Sequence, residues 1–142
     1  MNGMSNKKQE QNPTDDALLL MLLSLVEEDG VEIAVTLTVN GAIVTGDLIG
    51  VSAYYDGVIE SSKELRDHTL SKIITKKFND MKEEYVKQKL EDEKNSGTTP
   101  TFVHLKNAKY VGGDKKEATS SRTTWWRGRI SSIDAVSFDQ FT

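Results

Sequence analysis

Cysteine is absent from the 142 residues. Its absence excludes disulfides, thiolate metal sites and cysteine nucleophiles together, and it fits a reducing compartment. Histidine occurs only twice: His68 lies in a charged stretch and His104 in a strand-like one, with no local spacing that makes a metal site or a catalytic triad. A phosphate-cradling loop is missing as well, because Gly112-Gly113 is not followed by Lys-Ser and a helix. Long apolar runs are missing too. The one candidate, Leu18 to Leu23 extended by Leu25 and Val26, is about half of the roughly 20 residues a bilayer-spanning helix requires. Lys7 and Lys8 are followed by Gln, Asn, Pro13 and two acids, which is no signal-peptide pattern. These absences predict a soluble cytoplasmic protein without catalytic residues, metal or cofactor, and with no membrane partner.

Basic residues are also unevenly distributed. From Ala17 to Ile59 there are six acids and no Lys or Arg, whereas Gly97 to Thr142 holds seven bases against four acids. The net charge of −4 therefore hides ends of opposite sign. Such ends permit head-to-tail attraction between copies, strongest at low salt, or else mutual neutralisation within one molecule.

The length predicts one domain with an ordinary core, spanning 14–142 after a disordered tail at 1–13 that has almost nothing to bury. Thr14 or Asp15 can cap a helix over Ala17 to Glu28, with Gly30 at its stop. That helix is apolar nearly all round, so it must lie against a sheet or another subunit. Val31, Ile33, Val35, Leu37 and Val39 then alternate with smaller or polar residues, a half-buried strand. Asn40-Gly41 suits a two-residue type I′ turn and so fixes a register in which Val39 faces Ala42, Leu37 faces Val44, Val35 faces Gly46 and Ile33 faces Leu48. Gly46 and Gly50 are the expected bends of the second strand.

Ser61-x-x-Glu64 reads as a capping box, and Leu70, Ile74, Phe78, Met81 and Tyr85 share one helical face, predicting a long helix at about 61–95 and some 50 Å in length. Its charged distal part bears Tyr85, Val86 and Leu90, either a self-association surface or a solvated helix end. Three more strands follow, at Phe102 to Val111 with a bulge near Lys106-Asn107, at Thr123 to Ile130, and at Ile133 to Phe141. In the second of them Trp126, Gly128 and Ile130 take one face and Trp125, Arg127 and Arg129 the other. The fold class is α+β, with about five antiparallel strands, an N-terminal helix and a long helix inserted between strands 2 and 3.

Four phrases in this chain carry a resemblance: LTVNGAIVTGDLIG (Leu37 to Gly50), FVHLKN (Phe102 to Asn107), GGD (Gly112 to Asp114) and WWRGRISSID (Trp125 to Asp134). In this order they resemble the gas vesicle accessory protein U family (GvpU). The resemblance implies a bacterial cytoplasmic protein that accompanies gas vesicles without forming their shell. Gly46-Asp47-Leu48, five residues past the turn glycine, also looks like the first half of an Sm-like barrel. The expected architecture is thus a small, bent Sm- or SH3-like barrel, or alternatively a helix packed on an open sheet. Sm-like proteins often bind RNA, yet Asp56 stands where they carry Asn, and His104-Leu105 replaces their Arg-Gly.

An overlong helix, a Trp-Arg strand and separated charge exceed what a small monomer needs, and they suit adhesion to copies of itself or to a particle surface. The candidate contact residues are Trp125, Arg127 and Arg129 against an acidic surface such as Glu27, Glu28 and Asp29 of another copy, with Tyr85 and Leu90 on the helix. The expected partners are gas vesicle components and other copies, with no nucleic acid; an Sm-like regulatory or RNA-binding module is the competing class.

Overall fold

A computed structural model describes residues 16–94, 100–112 and 123–138. The expected tail, the Thr14 or Asp15 cap, the helix stop at 95–97, most of the Gly112 to Asp114 turn, the loop at 115–122 and the strand end beyond 138 lie outside the described residues. The chain divides into two compact units, one from 1–49 with 99–142 and the other from 50–98.

In the first unit, helix α1 (Ala17–Glu28) starts at Asp16, whose carboxylate accepts from the N–H groups of Leu18 (3.0 Å) and Leu19 (3.4 Å). Asp16 therefore supplies the side-chain oxygen that satisfies the orphan amides of the first turn. Gly30, at φ +69°, ends the helix in the left-handed conformation that glycine adopts without a Cβ penalty. Strands β1 (Ile33–Val39) and β2 (Ala42–Ile49) form a hairpin whose turn holds Asn40 at φ 51° and Gly41 at φ 87°. The observed register pairs Val39 with Ala42, Leu37 with Val44, Val35 with Gly46 and Ile33 with Leu48, as the turn dictates.

Strands β3 (Phe102–Tyr110), β4 (Trp125–Arg129) and β5 (Ile133–Phe138) complete an antiparallel open sheet in the order β4-β3-β2-β1-β5, with a 3-10 turn at Ile130–Ser132 between the last two strands. The sheet is open, so the favoured barrel gives way to the alternative of a helix packed on an open sheet. The expected bulge in β3 is present: Asn107 sits at φ 59°, and the pairing with β2 shifts between Thr45 and Asp47. Gly46 lies at that shift, where a Cβ would come within 3.2 Å of the Ala108 backbone and of Leu105.

The core forms between α1 and one face of the sheet. Leu19, Leu22, Leu23 and Val26 pack on Val35, Leu37, Val44, Leu48, Val103, Leu105, Ala108 and Ile130. Burying such a set is the main favourable term in folding a domain of this size. Thr36, Thr38, Thr45, Asp47 and Lys106 alternate onto the other face, where Ile49 and His104 are nonetheless buried.

The second unit holds the expected long helix between strands 2 and 3, α3 (His68–Lys94), which starts at 68 and not at 61, and a further helix that the sequence reading lacked precedes it, α2 (Val51–Ser62). Ser61-x-x-Glu64 is no capping box but the close of α2, where the Glu64 N–H donates to the Ser61 carbonyl at 3.1 Å. The cap of α3 is Asp67, which accepts from the Leu70 N–H at 3.0 Å. Gly50 is the entry residue of α2 and not a bend within a strand. Asp56, expected at a strand end, lies in α2, where its carboxylate receives Lys82 of α3 at 2.6 Å. Ser71 Oγ donates to the Ser62 carbonyl at 2.7 Å, closing the turn end of the pair.

Candidate functional site

Strand β4 is positioned by β3. The register places Trp125 opposite Lys106, Trp126 opposite Leu105, Arg127 opposite His104, Gly128 opposite Val103 and Arg129 opposite Phe102. The strand is held at its end by the Ile130 N–H, which donates to the Thr101 carbonyl at 2.8 Å. Ile130 itself is 1 % exposed. Its burial fixes which alternate residues face the core, so Trp126 and Gly128 follow it inward while Trp125, Arg127 and Arg129 take the outer face.

Trp126 lies folded along its own strand over Gly128. A Cβ at 128 would stand 2.4 Å from the Trp126 ring, so only glycine leaves room for the indole. In that position the indole Nε1–H donates to Tyr110 Oη at 3.0 Å, satisfying the polar edge of a ring packed against the core. Gly128→Ala is therefore expected to eject the ring and break that hydrogen bond, costing about 1–3 kcal/mol as over-packed sites do. Tryptophan emission and the thermal midpoint should shift together, and an unchanged midpoint would show that the ring is not held there.

On the outer face, the Arg127 guanidinium lies 4.0 Å from the centre of the Phe102 ring. Phe102 thus serves as a plate that orients the arginine by cation–π attraction while the side chain stays exposed. Arg129 is exposed on the same face. Beyond the bulge, Lys109 is set opposite Thr45 on this face as well. Lys106 is taken up by Glu32 at 2.8 Å. Opposite Arg127, His104 is 3 % exposed, and burial first, then the neighbouring arginine charge, lowers its pKa from 6.5 to about 3. His104 is thus a neutral structural side chain at physiological pH and offers no charge to the surface.

The acidic candidates occupy the far end of α1. Glu28 and Asp29 are exposed and Glu27 is partly so. No basic residue occupies the last turn of α1, so these carboxylates stand at the negative end of the helix dipole, an arrangement unfavourable to the isolated helix. Tyr85 and Leu90 belong to the other unit and differ from each other. The Tyr85 ring packs 6.2 Å from the Tyr55 ring, centre to centre, which makes it part of the α2–α3 contact, whereas Leu90 is 58 % exposed. In the same unit Lys63, Lys72 and Lys76 border an open cleft of about 490 Å³ with Ser71, Thr75 and Asn79. Two of these lysines are engaged by acids, Lys63 by Glu60 at 3.2 Å and Lys76 by Asp80 at 3.3 Å.

The face of β4 was legible from alternation alone. Phe102 and Lys109 were not, because they join it only through the β3–β4 and β2–β3 registers; the left-handed Asn107, two residues before Lys109, is the one local signal that alternation slips there. Among the described residues no group of three or more His, Asp or Glu side chains is gathered to hold a metal ion, and no helix is long and apolar enough to cross a membrane.

A family profile, the gas vesicle protein GvpU-like family, matches residues 16–141, nearly the whole chain. No curated protein and no solved structure matches.

Proposed function

The chain belongs to the GvpU-like family of gas vesicle proteins, and on that premise we propose that it is a non-enzymatic cytoplasmic accessory protein that modulates vesicle assembly or vesicle–vesicle clustering. It does so by binding the vesicle surface and by self-association. The observation that carries this reading is the outer face of β3 and β4. There Arg127, aligned on Phe102, and Arg129 and Lys109 present exposed positive charge in a protein of net charge −4. Exposed arginines held on a rigid strand favour planar acidic partners, and the carboxylates at the end of α1 in another copy are of the matching sign. Each such contact is weak and salt-screened over about 8 Å at physiological ionic strength. A particle displaying many copies turns weak contacts into strong adhesion.

The test is flotation with purified gas vesicles over a salt series. The protein is expected to rise with the vesicles at low salt and to be released as salt increases. Reversing the charge with Arg127→Glu and Arg129→Glu is expected to abolish the salt-sensitive part. Arg129→Glu alone, which leaves the Arg127–Phe102 contact intact, should weaken it without disturbing the fold. Recovery of the double variant at the wild-type level across all salt concentrations would sink the electrostatic proposal. A parallel titration with short RNA separates the competing Sm-like class, because phosphate-driven binding that falls steeply with salt would support that class instead.

A further inference from the structure

Strand β5 ends the sheet on the side opposite β4, and the registers settle which of its backbone groups reach outward. The Asn40-Gly41 turn makes Val39 and Ala42 a hydrogen-bonded pair, so Leu37 and Val35 also direct their backbone groups to β2 while Thr36 and Thr38 direct theirs to β5. The Val111 N–H donating to the Ile43 carbonyl on the next strand pair fits the same alternation. Thr38 stands opposite Ala135 and Thr36 opposite Ser137, so Val136 and Phe138 turn their N–H and C=O groups away from the sheet. Among the described residues no strand takes them up.

Edges of this kind are commonly blunted by lysine, proline or a bulge. In β5 the register shift lies between Thr38 and Val39, at the Asp134 end, and leaves the pairing of Ala135 to Phe138 regular. Its one charged residue, Asp134, accepts from the Asn40 N–H at 3.1 Å and so serves the chain's own turn. The remaining residues, Ile133, Ala135, Val136, Ser137 and Phe138, are uncharged, and Ala135, Ser137 and Phe138 are exposed.

We propose that β5 pairs with β5 of a second copy, antiparallel about a two-fold axis at Val136. In that register Val136 meets its own counterpart, Ala135 meets the counterpart of Ser137, and Asp134 meets the counterpart of Phe138, so no like charges face each other. Two β4 edges, by contrast, would set Arg127 against the counterpart of Arg129 about an axis at Gly128, or against its own counterpart about an axis at Arg127. A two-fold contact also closes on itself, whereas β5 joined to β4 of the next copy would leave an open edge at every step. The dimer joins two five-stranded sheets into one and leaves a strand bearing Arg127 and Arg129 at each end. It is thus a connector with two adhesive ends, a consequence that rests on the vesicle binding proposed above.

Sedimentation equilibrium of the purified full chain over a dilution series tests this. The wild type is expected to run as a monomer–dimer equilibrium that stops at the dimer once added salt screens the Arg127 and Arg129 contacts between copies. The double variant A135K/S137K changes only exposed outer-face side chains and sets lysine against lysine twice across the axis. Its dissociation constant is expected to rise about tenfold or more, with the circular dichroism spectrum unchanged. A135E/S137E should be equally weakened, and mixing the two variants should restore a heterodimer. A wild type that stays monomeric, growth beyond the dimer that persists in high salt, a lysine variant that dimerises normally, or a mixture that fails to recover would each overturn the proposal. Because vesicles are absent from this measurement, its failure leaves the flotation result standing, and a failed flotation leaves the dimer standing.

Discussion

Acidification is expected to destabilise this protein steeply through His104, and His104→Gln is expected to remove most of that dependence. The folded-state pKa of His104 is about 3, depressed from 6.5 by burial and then by Arg127. Between those two values the unfolded chain binds a proton that the folded chain refuses. Stability is therefore intact above 6.5, falls as pH drops towards 3, and stops falling on this account once the folded histidine itself takes the proton. The slope approaches about 1.4 kcal/mol per pH unit, enough over two units to consume a large part of the 5–15 kcal/mol typical of a domain. Denaturant midpoints measured across this window should slope for the wild type and flatten for the variant. Equal slopes would show that the imidazole is protonated in place, or that water reaches it.

The second large effect lies in the core. Leu105 is 0 % exposed, stands between Leu48 on β2 and Trp126 on β4, and reaches towards Gly46, where an added Cβ would lie 3.2 Å from both its Cβ and its Cδ1. Leu105→Ala is expected to cost about 2–5 kcal/mol, because the glycine beside it has no side chain to move into the space. The measurement is the urea midpoint at unchanged denaturant slope. Gly46→Ala alone should be mildly destabilising, since the fixed Ala108 backbone also lies 3.2 Å from the new methyl group. In the Leu105→Ala background that penalty should shrink, because the Cδ1 contact is gone. Strict additivity of the two changes would mean that the sites do not share the volume the geometry gives them.

How much of this could be read from the residues varied with how local the deciding interaction was. The β1–β2 hairpin came out pair for pair because one dipeptide, Asn40-Gly41, sets the register and the alternation agrees with it. Helix α1 came out with its ends in place, its cap shifted to Asp16, because several Thr and Asp residues in a row can each serve. Helix α2 was missed. Val51, Tyr54, Tyr55, Val58, Ile59 and Ser62 follow helical spacing, but Gly50, Gly57 and the β-branched residues disguise it as the tail of a strand. Missing it made Ser61 to Glu64 look like a helix start when it is a helix end. The outer face of β4 was legible, while the seating of Arg127 on Phe102 was not, since the two residues meet only across a strand pair that no turn dipeptide announces.

Trp125 and Trp126 are the chain's two indoles, adjacent in sequence yet on opposite faces of β4. The protein thus carries a pair of intrinsic optical probes with separate duties. An acrylamide quenching experiment on Trp126→Phe would report only what approaches the outer face, and the same experiment on Trp125→Phe would report only whether the inner ring remains in its slot. Docking and unfolding can therefore be told apart in one cuvette without attaching a dye.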